Sequence, residues 1–137
     1  IIHQDPLIIL DGAHNPSGAQ VVFDFLHSQI HDCPGRKLIL VVGMMHDKNH
    51  QGFLRVLLPL VDHLILTQPR MERAAPVDVM KLAVDRDDLV PDLLPDSWDA
   101  FCQAKVIANP SDLICVTGSL FLVGEVLERL TQPGPPT

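Results

Sequence analysis

The chain has 137 residues, of which 47% are hydrophobic and 20% charged, and its formal net charge is -7. This length and composition are typical of one globular domain that is large enough to bury its own core. The negative charge argues against a general surface for nucleic acid or anionic membranes, and no stretch reaches the roughly 20 apolar residues of a membrane span. Three widely spaced cysteines, none in a CxxC pair, favour reduced thiols in the core over a disulfide or metal framework.

The first predicted unit is a short buried strand followed by a turn and a helix. Residues 7–10 are all apolar, Asp11 stands where the strand would end, and Gly12 permits a tight turn. Pro16 fits the first turn of a helix, and apolar residues at helical spacing continue this helix to about His31.

Three polar residues lie between this strand and this helix: Asp11, His14 and Asn15. Asn15 can cap the helix, and Asp11 could equally serve as a cap where the chain enters the turn. In a parallel sheet, ligands bind in the crevice outside the carboxyl ends of the strands, and a helix N-terminus there favours an anion. We expect all three side chains to face that crevice.

Strands and helices alternate along the rest of the chain. Continuous apolar runs predict buried parallel strands, and a shorter strand is expected near Leu89. The predicted strands are 37–42, 62–67 and 112–117, and the predicted helices are about 51–58, 76–84, 97–108 and 120–130. Asp96 is predicted to cap the helix that begins at residue 97. This alternation predicts an α/β fold with a mainly parallel sheet and right-handed crossovers.

Four polar or glycine-rich turns follow the predicted strands, and a parallel sheet brings such turns to one edge. They are residues 11–15, 43–50, 67–74 and 117–119. Lys48, Arg70 and Arg73 lie just past two of the strands and could neutralise a carboxylate or phosphate, although each could also be an ordinary surface cation. The pattern favours one site for an anionic ligand.

Several familiar motifs are missing from the sequence. It contains no GxxxxGK[ST] phosphate loop, no GxGxxG after a strand and no GxSxG nucleophile turn. His46 and His50 have the spacing of a metal-binding pair, but they flank Lys48 in a predicted loop. Two solvated histidines are therefore favoured over a zinc site, and we assign no metal ligands to this chain.

The segment 9–16, Ile-Leu-Asp-Gly-Ala-His-Asn-Pro, resembles the C-terminal-domain signature of folylpolyglutamate synthases and bifunctional dihydrofolate synthases in the Mur ligase superfamily. Three further segments agree with this family in order and spacing. Residues 42–49 resemble its Gly-x-x-x-Asp-Lys-Asp loop, 67–74 its Thr-x-Pro…Arg-Ala segment, and 116–126 its closing Thr-Gly-Ser-Leu motif.

The resemblance implies a Rossmann-like three-layer sandwich: a mostly parallel sheet of five to six strands with helices on both faces. Residues 1–131 would form the glutamate ligase domain, and 132–137 would be a disordered tail. In the family this domain closes over an N-terminal ATPase domain. There MgATP phosphorylates a folate or pteroate carboxylate, and the amine of L-glutamate then attacks the acyl phosphate to form an amide.

The same resemblance implies roles for individual residues. Asp11 would bind the ATP ribose, and His14 would be catalytic, lying near the glutamate and the acyl phosphate. Lys48 and Ser119, together with His14, would hold the incoming glutamate. Asn15 and Arg73 are additional candidates for the site. ATP and Mg²⁺ would be bound mainly by the N-terminal domain.

The sequence departs from the family pattern at a few positions. Asn49 replaces the acid that usually follows Lys48, His46 occupies a position that is often basic or polar, and residues 1–6 lack the ATP-contacting arginine. Because the chain begins at Ile1 and lacks a phosphate loop, we expect a domain of a longer protein that is inactive in isolation.

Two other functions stay open at this stage. One is a non-catalytic α/β module that binds an anionic metabolite or a protein partner. The other is a nucleotide-dependent oxidoreductase domain, which the missing glycine fingerprint disfavours. For the ligase we expect a cytoplasmic monomer without nucleic-acid or membrane partners; its substrate could be dihydropteroate, a reduced folate or both.

Overall fold

The computed structural model describes residues 3–4 and 6–132. Six strands form one sheet: β1 His3–Gln4, β2 Leu7–Asp11, β3 Leu38–Val42, β4 His63–Gln68, β5 Asp92–Asp96 and β6 Leu113–Thr117. Five helices connect them: α1 Pro16–His31, α2 His50–Leu57, α3 Val77–Leu82, α4 Ser97–Ile107 and α5 Leu120–Thr131. A 3₁₀ turn, Leu58–Leu60, follows α2 and contains the proline that ends this helix.

The strands are ordered β1-β2-β6-β3-β4-β5 across the sheet. Strands β2 to β6 pair in parallel, whereas β1 pairs antiparallel with β2 at one edge. The sequence did not predict a strand in the lead-in before Leu7, because two residues are too few to form a periodic pattern. The parallel sheet confirms the predicted α/β class.

Two cores lie on opposite faces of the sheet because successive side chains of a strand point in opposite directions. In β3, for example, Leu38, Leu40 and Val42 pack with α1, α2 and α3, whereas Ile39 and Val41 pack with α4 and α5. All five of these side chains are buried. The predicted arrangement of helices on both faces is therefore confirmed.

The shorter strand lies later in the chain than predicted. Leu89 is buried, but its N–H donates to the Arg86 carbonyl in a turn, and the strand begins only at Asp92. Strand β5 is at the sheet edge and half-buried, so it tolerates two acidic residues and Pro95. The prediction of a strand near Leu89 was wrong because an edge strand lacks the continuous apolar run that locates an interior strand.

The helix boundaries follow the predicted caps. The side chain of Asn15 accepts from the Gly18 N–H at the start of α1, and Asp96 accepts from the Asp99 N–H at the start of α4. Helix α5 ends at Thr131, and the domain boundary at residue 131 stays a prediction. Of the predicted disordered tail, residues 133–137 lie outside the described residues.

Candidate functional site

The β2–α1 loop, residues 12–15, is held in a compact turn by hydrogen bonds of its own. The Ala13 N–H donates to Asp11 Oδ1 over 2.9 Å, which leaves the second carboxylate oxygen of Asp11 outside this bond. Gly12 does not have a positive φ angle. A Cβ atom there would meet only the end of the exposed Leu120 side chain, which can move aside, so neither the φ angle nor the packing at this position requires glycine.

His14 has a defined ring orientation. Its Nδ1 lies 3.1 Å from the carbonyl oxygen of Gly12. Because a carbonyl only accepts, we assign the proton of the neutral ring to Nδ1, which makes Nε2 the basic nitrogen. His14 can therefore receive a proton from a ligand while its ring stays anchored to the backbone.

The β6–α5 loop, residues 118–119, contains a glycine that its conformation requires. Gly118 has a φ angle of 111°, which glycine adopts without steric cost. Its N–H donates to the Ala13 carbonyl over 2.9 Å and joins this loop to the β2–α1 loop. A Cβ atom at Gly118 would lie 2.6 Å from the Gly43 carbonyl oxygen, so three loops meet here too closely for any side chain.

Ser119 is the N-cap of α5 and is only 3% exposed. Its Oγ accepts from the Phe121 N–H over 3.1 Å and from the Leu122 N–H over 3.4 Å. Both bonds use the hydroxyl as an acceptor. The hydroxyl hydrogen can therefore still donate to a ligand oxygen.

Lys48 lies in the β3–α2 loop, residues 43–49. The backbone of this loop is fixed because the His46 N–H donates to the Arg73 carbonyl over 2.7 Å and the Ala75 N–H donates to the Met44 carbonyl over 2.8 Å. Asn49, which departs from the family pattern, caps α2 by accepting from the Gly52 N–H. Lys48 is half-buried as a residue, and within residues 6–132 its ammonium makes no hydrogen bond or ion pair.

His14, Lys48 and Ser119 line one cavity at the carboxyl edge of the sheet. The cavity has a volume of about 180 Å³, which is below the roughly 300 to 1,000 Å³ that is usual for drug-sized ligands. Its size suits an amino acid or a similar small anion. Of the six predicted site residues, these three are brought together.

The other three predicted residues do not line this cavity. Asp11 and Asn15 lie in the same turn as His14, but their side chains bond to backbone N–H groups. Arg73 is exposed and contributes its backbone carbonyl to the β3–α2 loop. Three apolar lining residues were not predicted: Met45, Leu120 and Phe121. The last two are 68% and 51% exposed at the start of α5, and this exposure cannot be read from the sequence.

The electrostatics of this edge favour a negatively charged ligand. The N-termini of α1 and α5 lie beside the cavity, and each contributes a partial positive charge. Lys48 adds a full positive charge. Within the described residues, no group of three or more His, Cys, Asp or Glu side chains could hold a metal ion.

Two thiols lie in or near the core, away from this cavity. Burial raises the pKa of Cys102 and, more strongly, that of the fully buried Cys115, so both thiols stay neutral near pH 7.

No helix among residues 6–132 combines the length and apolar character needed to cross a bilayer.

Comparison with known families matches residues 1–120 to the glutamate ligase domain of the Mur ligases. The chain belongs to this family. It is 33% identical over 133 residues to a probable bifunctional folylpolyglutamate synthase/dihydropteroate synthase of Halobacterium salinarum, covering 96% of this chain and 16% of that protein. It is 29% identical over 129 residues to the dihydrofolate synthase/folylpolyglutamate synthase of Escherichia coli, covering 93% of this chain and 29% of that protein.

Solved structures give the same result for this Mur ligase domain. A bifunctional folylpolyglutamate synthase/dihydrofolate synthase from Yersinia pestis, complexed with AMPPNP and Mn, superposes with a TM-score of 0.86 at 29% identity. The match covers 96% of this chain and 30% of that one. A further structure of such an enzyme, with Mn, AMPPNP and L-glutamate bound, has the same TM-score and coverage. The chain thus spans less than a third of the relatives that it matches, as the C-terminal domain of these ligases.

Proposed function

We propose that this chain is the domain that binds L-glutamate in an ATP-dependent ligase, which joins glutamate to dihydropteroate, to a folate, or to both. The domain would act together with an N-terminal ATPase domain of the same protein. The observation that carries the proposal is the convergence of His14, Lys48 and Ser119 on one small cavity at the carboxyl edge of the sheet. The family match favours this function over a non-catalytic binding module.

The three cavity residues have complementary chemistry for an amino acid. The Lys48 ammonium and the Ser119 hydroxyl can each donate to a carboxylate of glutamate. His14 Nε2 can accept a proton from the glutamate ammonium, because its Nδ1 is already engaged with the Gly12 carbonyl. Deprotonation turns the ammonium into the amine that acts as nucleophile.

Asp11 is suited to a different part of the reaction. Its Oδ1 is fixed by the Ala13 N–H, and Oδ2 can accept from the hydroxyls of the ATP ribose. Mg²⁺ would be held mainly by the N-terminal domain. Asn15 then serves as the cap that orients the N-terminus of α1.

The proposed reaction has two steps. A carboxylate oxygen of the folate or pteroate attacks the γ-phosphorus of ATP, and ADP leaves. The glutamate amine then attacks the acyl carbon and expels inorganic phosphate, which carries away that carboxylate oxygen and takes up the second proton of the amine. By holding the amine near the acyl phosphate, the domain could lower the barrier by about 7 kcal/mol or more.

The experiment uses the longer protein that contains this domain, with dihydropteroate or tetrahydrofolate labelled with ¹⁸O in the reacting carboxylate. With ATP and L-glutamate, we expect an amide product, ADP and phosphate that contains one ¹⁸O atom per turnover. The isolated 137-residue chain is expected to form no product. Ligation without ¹⁸O transfer would contradict the acyl phosphate, and the absence of ATP-dependent glutamate incorporation would contradict the proposed function.

Location in the cytoplasm and a monomeric state stay predictions.

A further inference from the structure

One carboxylate outside the cavity joins three elements of the domain. Glu125, in the second turn of α5, accepts from the Arg70 backbone N–H through Oε2 over 2.6 Å. Its Oε1 accepts from the hydroxyl of Ser97, the first residue of α4, over 2.8 Å. Glu125 is half-buried and Ser97 is 3% exposed. Two helices and the β4–α3 loop, residues 69–76, therefore meet at a single side chain.

The side chain of Arg70 is held in place as well as its backbone. Its guanidinium Nη2 donates to Asp96 Oδ2 over 3.1 Å, and Asp96 is the N-cap of α4. The Asp99 N–H and the Arg70 guanidinium together hold the pKa of Asp96 below its usual range. The first residues of the β4–α3 loop thus have both their backbone and their side chain anchored to α4 and α5.

The far end of the same loop supports the cavity. The Arg73 carbonyl accepts from the His46 N–H over 2.7 Å, and Met45 and Ala74 form an isolated β-bridge. Lys48 follows two residues after His46 in the β3–α2 loop. Glu125 is therefore connected to the backbone of His46 through the four-residue segment 70–73, which makes one hydrogen bond at each end.

We propose that Glu125 is a positioning residue for the glutamate site: it fixes the β4–α3 loop, and through that loop the segment that presents Lys48. This proposal rests on the proposed function for its kinetic consequence. Its structural consequence, the fixed position of the β3–α2 loop, can be measured without any substrate. Proximity along a chain of contacts does not by itself establish coupling, so the test compares variants that keep or break the two bonds of Glu125.

Three substitutions at Glu125 and one control distinguish the effect of side-chain length from the effect of side-chain charge. Glu125→Gln keeps one accepting oxygen for the Arg70 N–H, and its amide can donate to Ser97 Oγ, so it retains both contacts. Glu125→Asp keeps the charge but is one methylene too short to reach both partners, and Glu125→Ala removes both bonds. The control is Glu128→Ala, one turn further along α5, where the carboxylate makes no hydrogen bond within residues 6–132.

The first readout is amide hydrogen exchange at His46 in the 137-residue chain. We expect exchange about 10-fold faster in Glu125→Asp and Glu125→Ala, and wild-type exchange in Glu125→Gln and Glu128→Ala. Should Glu125→Ala fail to fold, Glu125→Asp still gives the result. Wild-type protection of His46 in Glu125→Asp would overturn the proposal.

The second readout is steady-state ligation by the longer protein. Glu125→Asp is expected to raise the KM for glutamate about 10-fold while leaving kcat and the KM for ATP within about 2-fold of wild type. Glu125→Gln is expected to restore the wild-type KM, which a role in net charge would not produce. Equal changes in all three constants, or a wild-type KM in Glu125→Asp, would overturn the proposal. If the wild-type protein does not ligate glutamate, the proposed function fails, and the exchange result alone decides the role of Glu125.

Discussion

The two edges of the sheet contain the same types of polar residue but use them differently. At the amino edge, Asp112 accepts from the backbone N–H groups of Lys37 and Asn109, and Asp62 accepts from that of Leu38. Arg86 donates to the carbonyls of Leu58 and Val61, both over 2.7 Å. These side chains close the ends of strands and loops through bonds to the backbone.

At the carboxyl edge, hydrogen-bonding capacity remains available. Within residues 6–132, the Lys48 ammonium makes no bond, His14 uses only Nδ1, and Ser119 uses its hydroxyl only as an acceptor. The cavity here measures about 180 Å³, whereas the one at the amino edge measures about 310 Å³ and is lined by Lys37, His63 and two aspartates. Volume and residue type would therefore favour the amino edge, whereas the unused hydrogen-bonding groups of His14, Lys48 and Ser119 favour the carboxyl edge.

The largest expected effect comes from the crowded junction of loops at the carboxyl edge. Gly118→Ala places a Cβ atom against the Gly43 carbonyl at a positive φ angle, and we expect a loss of about 3 kcal/mol in the free energy of unfolding. Gly124→Ala is the control: its Cβ would meet nothing within 4 Å on helix α5. That variant should gain up to about 1 kcal/mol. Urea unfolding measures both, and a similar effect for the two would contradict this packing.

The next effect tests whether the amino edge is structural. Asp112 is 4% exposed and accepts two backbone N–H groups, so Asp112→Ala should reduce the free energy of unfolding by about 2 to 3 kcal/mol. Asp11→Ala, which removes one bond in a partly exposed turn, should cost about 1 kcal/mol. A larger loss for Asp11 than for Asp112 in urea unfolding would reverse the contrast between the edges.

The predictable part of the fold is the part that depends on neighbours in sequence. Apolar runs identified the interior strands, and Asn15 and Asp96 were recognised as caps because capping involves residues two or three positions away. The cap formed by Asn49 was missed, and the edge strand β5 was predicted too early in the chain because it lacks a continuous apolar run. The requirement for glycine at Gly118 depends on the carbonyl of Gly43, which is distant in sequence, so only the structure shows why no side chain fits there.

The candidate site was predictable to a similar extent. Family resemblance singled out His14, Lys48 and Ser119, which share a cavity, but also Arg73, whose side chain lies outside it. The spacing of residues along the chain does not show whether a loop residue such as Arg73 contributes its side chain or its backbone carbonyl. Glu125 gave no local signal, because both of its partners lie more than 25 residues away in the sequence.

The smallest expected effect concerns the pH dependence of stability. Because the folded-state pKa of Asp96 lies below its unfolded value, its stabilisation is present above about pH 4 and is lost as the pH falls through the folded-state value. Asp96→Asn should therefore be less stable than wild type at pH 7, by less than about 1 kcal/mol since the carboxylate is partly exposed. Urea unfolding as a function of pH should show this difference shrinking below about pH 4. A difference that persists unchanged at pH 2 would disagree with this assignment.

The most direct test of the glutamate site compares one lysine from each edge in the longer ligase. Lys48→Met removes the unpaired cation of the carboxyl-edge cavity, and Lys37→Met removes a cation from the larger cavity at the amino edge. We predict that Lys48→Met raises the KM for glutamate about 10-fold or more while the KM for ATP is unchanged, and that Lys37→Met changes neither. A wild-type KM for glutamate in Lys48→Met, or an equal increase in Lys37→Met, would contradict the assignment of the glutamate site to the carboxyl edge.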